Sequence, residues 1–116
     1  MWLFRRFYHA IGGLLYALGH DQSVRWQFYG GALVVLVVLH YLQPLSVTEL
    51  LFLLLGWALI LTTELQNTAF EMALDRLHPE RQELIGRSKD VAASAVLMAS
   101  TFLGFTLFVL IYLRVS

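Results

Sequence analysis

Apolar residues fill the chain in long blocks, and the polar positions between them gather into a few short stretches. Three blocks are long enough to cross the ~30 Å hydrocarbon core of a bilayer, for which about 17–25 helical residues suffice. They run over about 26–42, 47–70 and 91–115. Gln43, Pro44 and Ser46 make a tight polar turn between the first two, Pro44 being unable to continue a helix. Between the second and third lies MALDRLHPERQELIGRSKD, the extended charged stretch of the chain, which predicts a loop over about 72–90. The start of the chain differs in kind. Phe4, Phe7, Ile11, Leu14, Leu15 and Leu18 recur at three- and four-residue steps, with Arg5, Arg6 and His9 mostly on the other face. That pattern predicts an amphipathic helix over about 1–20, lying in the membrane interface. A cleavable signal peptide is the rival reading, but the apolar run is short and no small-x-small site precedes a mature domain.

Composition supports this picture. Of 116 residues, 59% are hydrophobic and 14% charged, and mean hydropathy is +0.68. Soluble domains run at about 45–50% apolar and about 25% charged, so a water-soluble globule is excluded. Disorder needs the opposite bias, and the length suits a single domain. Eight basic residues balance eight acidic ones, leaving no net field to gather nucleic acid. With no cysteine there is no disulfide, thiolate metal site or cysteine nucleophile. The expected fold is all-α and membrane-integral: three transmembrane helices plus a surface helix. Arg5, Arg6, Arg25, Arg76, Arg81, Arg87 and Lys89 precede the first span or lie between the second and third, and Arg114 alone sits at the far end. Positive-inside counting therefore places the N-terminus and the charged loop in the cytoplasm.

The second span carries acids where lipid would not accept them. Glu64, Asn67, Glu71 and Asp75 stand at i, i+3, i+7 and i+11. At 100° per residue they point to about 0°, 300°, 340° and 20°, a narrow stripe on one helix face. A carboxylate at membrane depth costs at least a few kcal/mol and is normally turned inward and functional. A helix simply leaving the membrane is the alternative for Asp75. Converging carboxylates, an amide and a nearby lysine suit phosphoryl transfer, in which Mg²⁺ bridges carboxylates to nucleotide phosphates. Lys89, the single lysine, would neutralise charge on the transferred group, or else serve as a snorkelling interfacial anchor. Lys89 and Asp90 stand just before the third span, where Ser88 is placed to cap a helix whose first amides favour phosphate. There is no GxxxxGK[ST] loop to cradle a nucleotide and no HExxH. His9, His20, His40 and His78 are scattered and read as structural or interfacial.

ELQNTAFEMALD, from Glu64 to Asp75, resembles the E-x-x-N-[ST]-A-x-E-x-x-x-D signature of the prokaryotic diacylglycerol kinase family, which includes undecaprenol kinases. GRSKDVAASAVL, from Gly86 to Leu97, resembles that family's second block, and GLLYA and DQSVR extend the likeness upstream. The resemblance implies a homotrimer with active sites shared between subunits and MgATP-dependent phosphorylation of a lipid alcohol in the bacterial inner membrane. It implies that Glu64 is the base that takes the lipid hydroxyl's proton, with Ala93 and Arg25 beside the lipid substrate. Glu71 and Asp21 would bind Mg²⁺. Asn67, Asp75, Lys89 and Asp90 would serve the ATP site, with Glu80, Arg81 and Gln82 lying over it and His9 in place of an aromatic contact. Two positions depart from the family pattern: Asp21 stands where glutamate is usual, and Gln27 replaces a second glutamate. A helix-cap role is the alternative for Asp21.

ELIGRSKD looks like the diacylglycerol kinases, while SVTELLFLLL looks more like the undecaprenol kinases, so both lipids stay open. A non-enzymatic ion-binding membrane module is a further alternative, which leaves Asn67, Lys89 and Asp90 without a role. Small residues at Ala92, Ala95, Ala99, Ser100 and Gly104 suit close helix packing in an oligomer. Trp2, Trp26, Tyr41 and Tyr112 fall where an aromatic belt would.

Overall fold

Helix α1 (Trp2–His20) ends and helix α2 (Gln22–Tyr41) begins on a single residue, Asp21. Its extended backbone breaks the helical path, its N–H donates to the Ala17 carbonyl at 2.8 Å, and its Oδ1 accepts from the Val24 amide at 3.1 Å. The side chain thus satisfies a first-turn amide that the new helix leaves unpaired. Helix α3 (Val47–Leu77) starts from a capping box: Ser46 Oγ accepts from the Glu49 amide at 3.1 Å, and Glu49 Oε1 accepts from the Ser46 amide at 2.9 Å. Helix α4 (Glu83–Val115) completes the chain. The structure, a computed structural model, describes residues 1–80 and 82–116.

The charged stretch expected as a loop over 72–90 is mostly helix: α3 continues to Leu77 and α4 begins at Glu83. The end of an apolar run marks where a helix leaves lipid, not where its backbone hydrogen bonds stop. The break falls at His78 and Pro79, because proline excludes the α conformation from the residue before it. Ser88, expected as a helix cap, lies inside α4 for the same reason. The amides around Lys89 and Asp90 are therefore spent within the helix, and the expected phosphate-binding helix start is not there.

α2, α3 and α4 are each long and apolar enough to cross a membrane. α3 packs mainly on α4 and then on α2, while α1 meets α2 and α3. The shared core holds Val35 and Val38 of α2, Leu53 and Ile60 of α3, and Ala99, Leu103 and Leu110 of α4. Much of the outer surface is leucine and phenylalanine, including Leu36, Leu51, Leu55, Phe105 and Phe108. Between helices in lipid the hydrophobic effect gives little, so close approach matters. At Gly56 a methyl would sit 2.9 Å from Leu103 Cδ1 and 3.3 Å from its Cα, so the glycine lets α4 come in. At Gly31 a methyl would overlap the Trp57 indole, which crosses α2 there and donates from Nε1 to the Gln27 carbonyl at 3.2 Å. Ala99 packs inward, whereas Gly104 faces open space.

The end of the bundle away from the charged stretch is fastened by one side chain. Arg114 Nη1 and Nη2 each donate to Glu49 at 2.9 Å, Nη2 also to the Pro44 carbonyl at 2.8 Å, and Nε to the Leu42 carbonyl at 3.0 Å.

Candidate active site

Helical spacing aligns Glu64, Asn67, Glu71 and Asp75 along α3, and packing sorts them by depth. Glu64 is 6% exposed and is the one buried charged side chain among the described residues. The carboxylates of Asp21 and Glu71 lie close enough to act on it electrostatically. Asp21 reaches α3 directly: Thr68 Oγ1 donates to its Oδ2 at 2.8 Å. Asp21 is therefore both a helix cap and a neighbour of Glu64, so the two readings of this residue are compatible.

Asn67 Nδ2 donates to Glu71 Oε1 at 3.1 Å, and its Oδ1 is buried without a partner. A buried acceptor left unpaired costs about 1–3 kcal/mol, and its orphaned oxygen asks for a donor or a cation. The donors gathered here (Glu64, Glu71, Asp21 and the Asn67 amide) are all oxygen, the donor type that a hard divalent cation takes. Among the described residues no three His, Cys, Asp or Glu side chains close on one point. That is compatible with Mg²⁺, which usually takes one or two carboxylates and completes its shell with water and phosphate.

Further along the stripe α3 meets α4. Lys89 Nζ donates to Asp75 Oδ1 at 2.5 Å, joining the two helices. Both side chains line a polar cavity of about 340 Å³, along with Glu71, Glu80, Asp90 and Ala93. Lys89 thus faces a cleft, where the snorkelling alternative would send it along lipid. His78, Pro79, Ile85 and Gly86 complete the lining. His78 and Pro79 carried no signal for the cleft in the sequence beyond their place in the charged stretch, whereas Ile85 and Gly86 fall within ELIGRSKD. Thr68 did carry a signal: it lies about 40° from Glu64 on the helical wheel, at the edge of the carboxylate stripe.

Of the remaining expected site residues, His9 and Arg25 stand apart from the cavity lining within one chain. His9 is exposed on α1 with its ring edge-on to Tyr8, the centroids 5.7 Å apart. Arg25 Nη1 donates to the Leu18 and Gly19 carbonyls, each at 3.1 Å, and so caps the end of α1. Gln82 is the residue before α4, with no side-chain cap hydrogen bond. Arg81 lies outside the described residues. A second hollow, of about 570 Å³ and mostly apolar, runs between α1 and α3, lined by Leu14, Ala17, Leu65, Ala69, Met72 and Asp21 among others.

A family model described as prokaryotic diacylglycerol kinase matches residues 8–111. The diacylglycerol kinase of Haemophilus influenzae is 27% identical over 96 residues, which cover 83% of this chain and 80% of that protein. The diacylglycerol kinase of Escherichia coli K12 is 36% identical over 67 residues, or 58% of this chain and 54% of that one. The undecaprenol kinase of Bacillus subtilis is 32% identical over 95 residues, covering 80% and 74%. The family match spans both sequence blocks, which lie on α3 and α4, and the likeness seen in those blocks is borne out. The chain is a membrane protein and belongs to the prokaryotic diacylglycerol kinase family.

Proposed function

We propose that this lipid kinase moves the γ-phosphoryl group of MgATP to the hydroxyl of diacylglycerol, giving phosphatidic acid. The observation that carries the reading is the continuity of one α3 stripe. A buried carboxylate, Glu64, leads through Asn67 and Glu71 to the Lys89–Asp75 pair and its polar cavity. A lipid hydroxyl arrives at membrane depth and a nucleotide arrives from water; the stripe spans that difference.

Glu64 accepts the hydroxyl proton as the oxygen attacks the γ-phosphorus and the bond to the bridging oxygen of ADP breaks. Glu71, held by Asn67, and Asp21, held by Thr68, are the groups to ligate Mg²⁺, whose charge would offset that on the phosphate oxygens during transfer. Lys89 and Asp90 face the phosphates in the cavity, and Asp75 keeps Lys89 in place. The apolar hollow between α1 and α3 borders Asp21 and has the character to receive an acyl chain.

The proposal extends to assembly and placement. We place α1 as an amphipathic helix in the interface, with the N-terminus and the polar cavity on the cytoplasmic side of the bacterial inner membrane. The seven basic side chains on that side of the sequence support this orientation. A homotrimer with shared sites would bring Arg25 and His9 of one subunit toward the cavity of another. Its support is that His9 and Arg25 stand apart from the cavity in a single chain.

Undecaprenol is the second reading, favoured by the 32% identity to the Bacillus subtilis undecaprenol kinase over 80% of this chain. Purified protein in mixed micelles with MgATP and each lipid alcohol in turn decides between them. Faster phosphorylation of diacylglycerol is expected. Faster phosphorylation of undecaprenol would reverse the assignment, and phosphorylation of neither would refute the kinase reading and return the acids to ion binding.

A further inference from the structure

We infer that Thr68 is a positioning residue that aims the carboxylate of Asp21 at the cation. The inference rests on the reading of Asp21 as a cation ligand, and goes beyond it by naming what holds that ligand in place.

A threonine hydroxyl in a lipid-embedded helix has a ready acceptor in the carbonyl one turn back, and this chain uses it repeatedly. Thr63 donates to the Leu59 carbonyl at 2.8 Å, Thr101 to Leu97 at 2.9 Å and Thr106 to Phe102 at 2.9 Å. Thr68 does otherwise: its hydroxyl leaves its own helix and donates to Asp21 Oδ2. The acceptor is on the joint between α1 and α2, 47 residues away in sequence.

The other oxygen of Asp21 is held by the Val24 amide. A carboxylate has about four lone-pair sites, so two hydrogen bonds fix its plane and leave capacity for a metal. Asp21 is also one methylene shorter than glutamate, so its carboxylate has less reach along α3 toward Glu64 and Glu71. The Thr68 hydroxyl instead ties the joint to the helix that carries Glu64 and Glu71. Partners of metal ligands orient them in this way, and their loss typically costs 10–100-fold in metal affinity.

The test compares the full-length protein with Thr68→Val, which keeps shape and removes the hydroxyl, and with Thr68→Ser, which keeps the hydroxyl. Asp21→Asn is the reference for loss of the ligand itself. Two readouts are taken in the same micelles: Mn²⁺ binding followed by electron paramagnetic resonance with ATP analogue present, and the Mg²⁺ requirement of turnover. Thr68→Val should weaken Mn²⁺ binding by on the order of 10-fold. It should raise the Mg²⁺ requirement in step while kcat at saturating Mg²⁺ changes by less than about twofold, and Thr68→Ser should restore both. Should the valine variant fail to fold, Thr68→Ala serves in its place. If Asp21→Asn loses Mn²⁺ while Thr68→Val binds it normally, Thr68 is idle and the inference fails alone. If neither variant alters Mn²⁺ binding, Asp21 is not a cation ligand and the underlying reading fails with it.

Discussion

Replacing Gly31 with alanine puts a methyl group where the Trp57 indole lies across α2. The overlap involves Cδ1 and Nε1, the middle of a rigid ring and not the end of a flexible chain, so the whole side chain must move. Moving it breaks the 3.2 Å bond from Nε1 to the Gln27 carbonyl and disturbs the contact with Phe28, whose ring centroid is 5.8 Å away. Overpacking a tight site costs about 1–3 kcal/mol. A polar contact between membrane helices averages about 0.6 and reaches about 1.7 kcal/mol. Together these place the loss at about 2–5 kcal/mol, read from reversible unfolding in mixed micelles of lipid-like detergent and sodium dodecyl sulfate. A double-mutant cycle with Trp57→Leu isolates the cause. Leucine removes the ring, so Gly31→Ala should cost less than about 1 kcal/mol in that background, a coupling of the size seen for residues in contact. Because α2 carries Asp21 at its start, the single variant should also raise the Mg²⁺ requirement. Wild-type stability in Gly31→Ala, or an equal loss with and without Trp57, would refute the argument.

Three further outcomes follow from the site and the frame. Glu64→Gln keeps shape and removes the proposed base, so assembly by size-exclusion chromatography should be unchanged while turnover falls by on the order of 10²-fold or more; near-normal turnover would end the proposed role. Asp75→Asn frees Lys89 from its 2.5 Å partner and should raise KM for ATP more than it lowers kcat, whereas an effect on kcat alone would place Asp75 elsewhere in the reaction. Arg114→Met leaves Glu49 and two carbonyls without their donor, so the thermal midpoint should fall while turnover at low temperature holds. Adding Glu49→Gln should recover part of that midpoint.

Hydropathy made the three crossing helices legible, because lipid selects apolar residues along the whole length of a span. It misplaced their ends, because outside lipid the same backbone bonds persist with any residue except one like Pro79. The α3 stripe was legible because helical periodicity turns a spacing of three and four into a direction, and Glu64, Asn67, Glu71 and Asp75 share one. The Asp21–Thr68 bond and the pairing of Lys89 with Asp75 were not legible as pairs. Each joins residues far apart in the chain, and their meeting depends on how α2, α3 and α4 pack. Gly31 and Gly56 carry that packing, yet in the sequence they are only two glycines among eight.

α3 has 31 residues, which at 1.5 Å each make a rod of about 46 Å, well beyond a ~30 Å hydrocarbon core. Asp75 near its tip and Lys89 on its neighbour are thus mounted on long levers planted in the bilayer. Helices meet a mismatch in membrane thickness partly by tilting, and a change of about 10° would swing such a tip by about 8 Å. On the proposed reading, the hold of Asp75 and Lys89 on a triphosphate would be coupled to lipid chain length, and turnover would vary with the thickness of the bilayer.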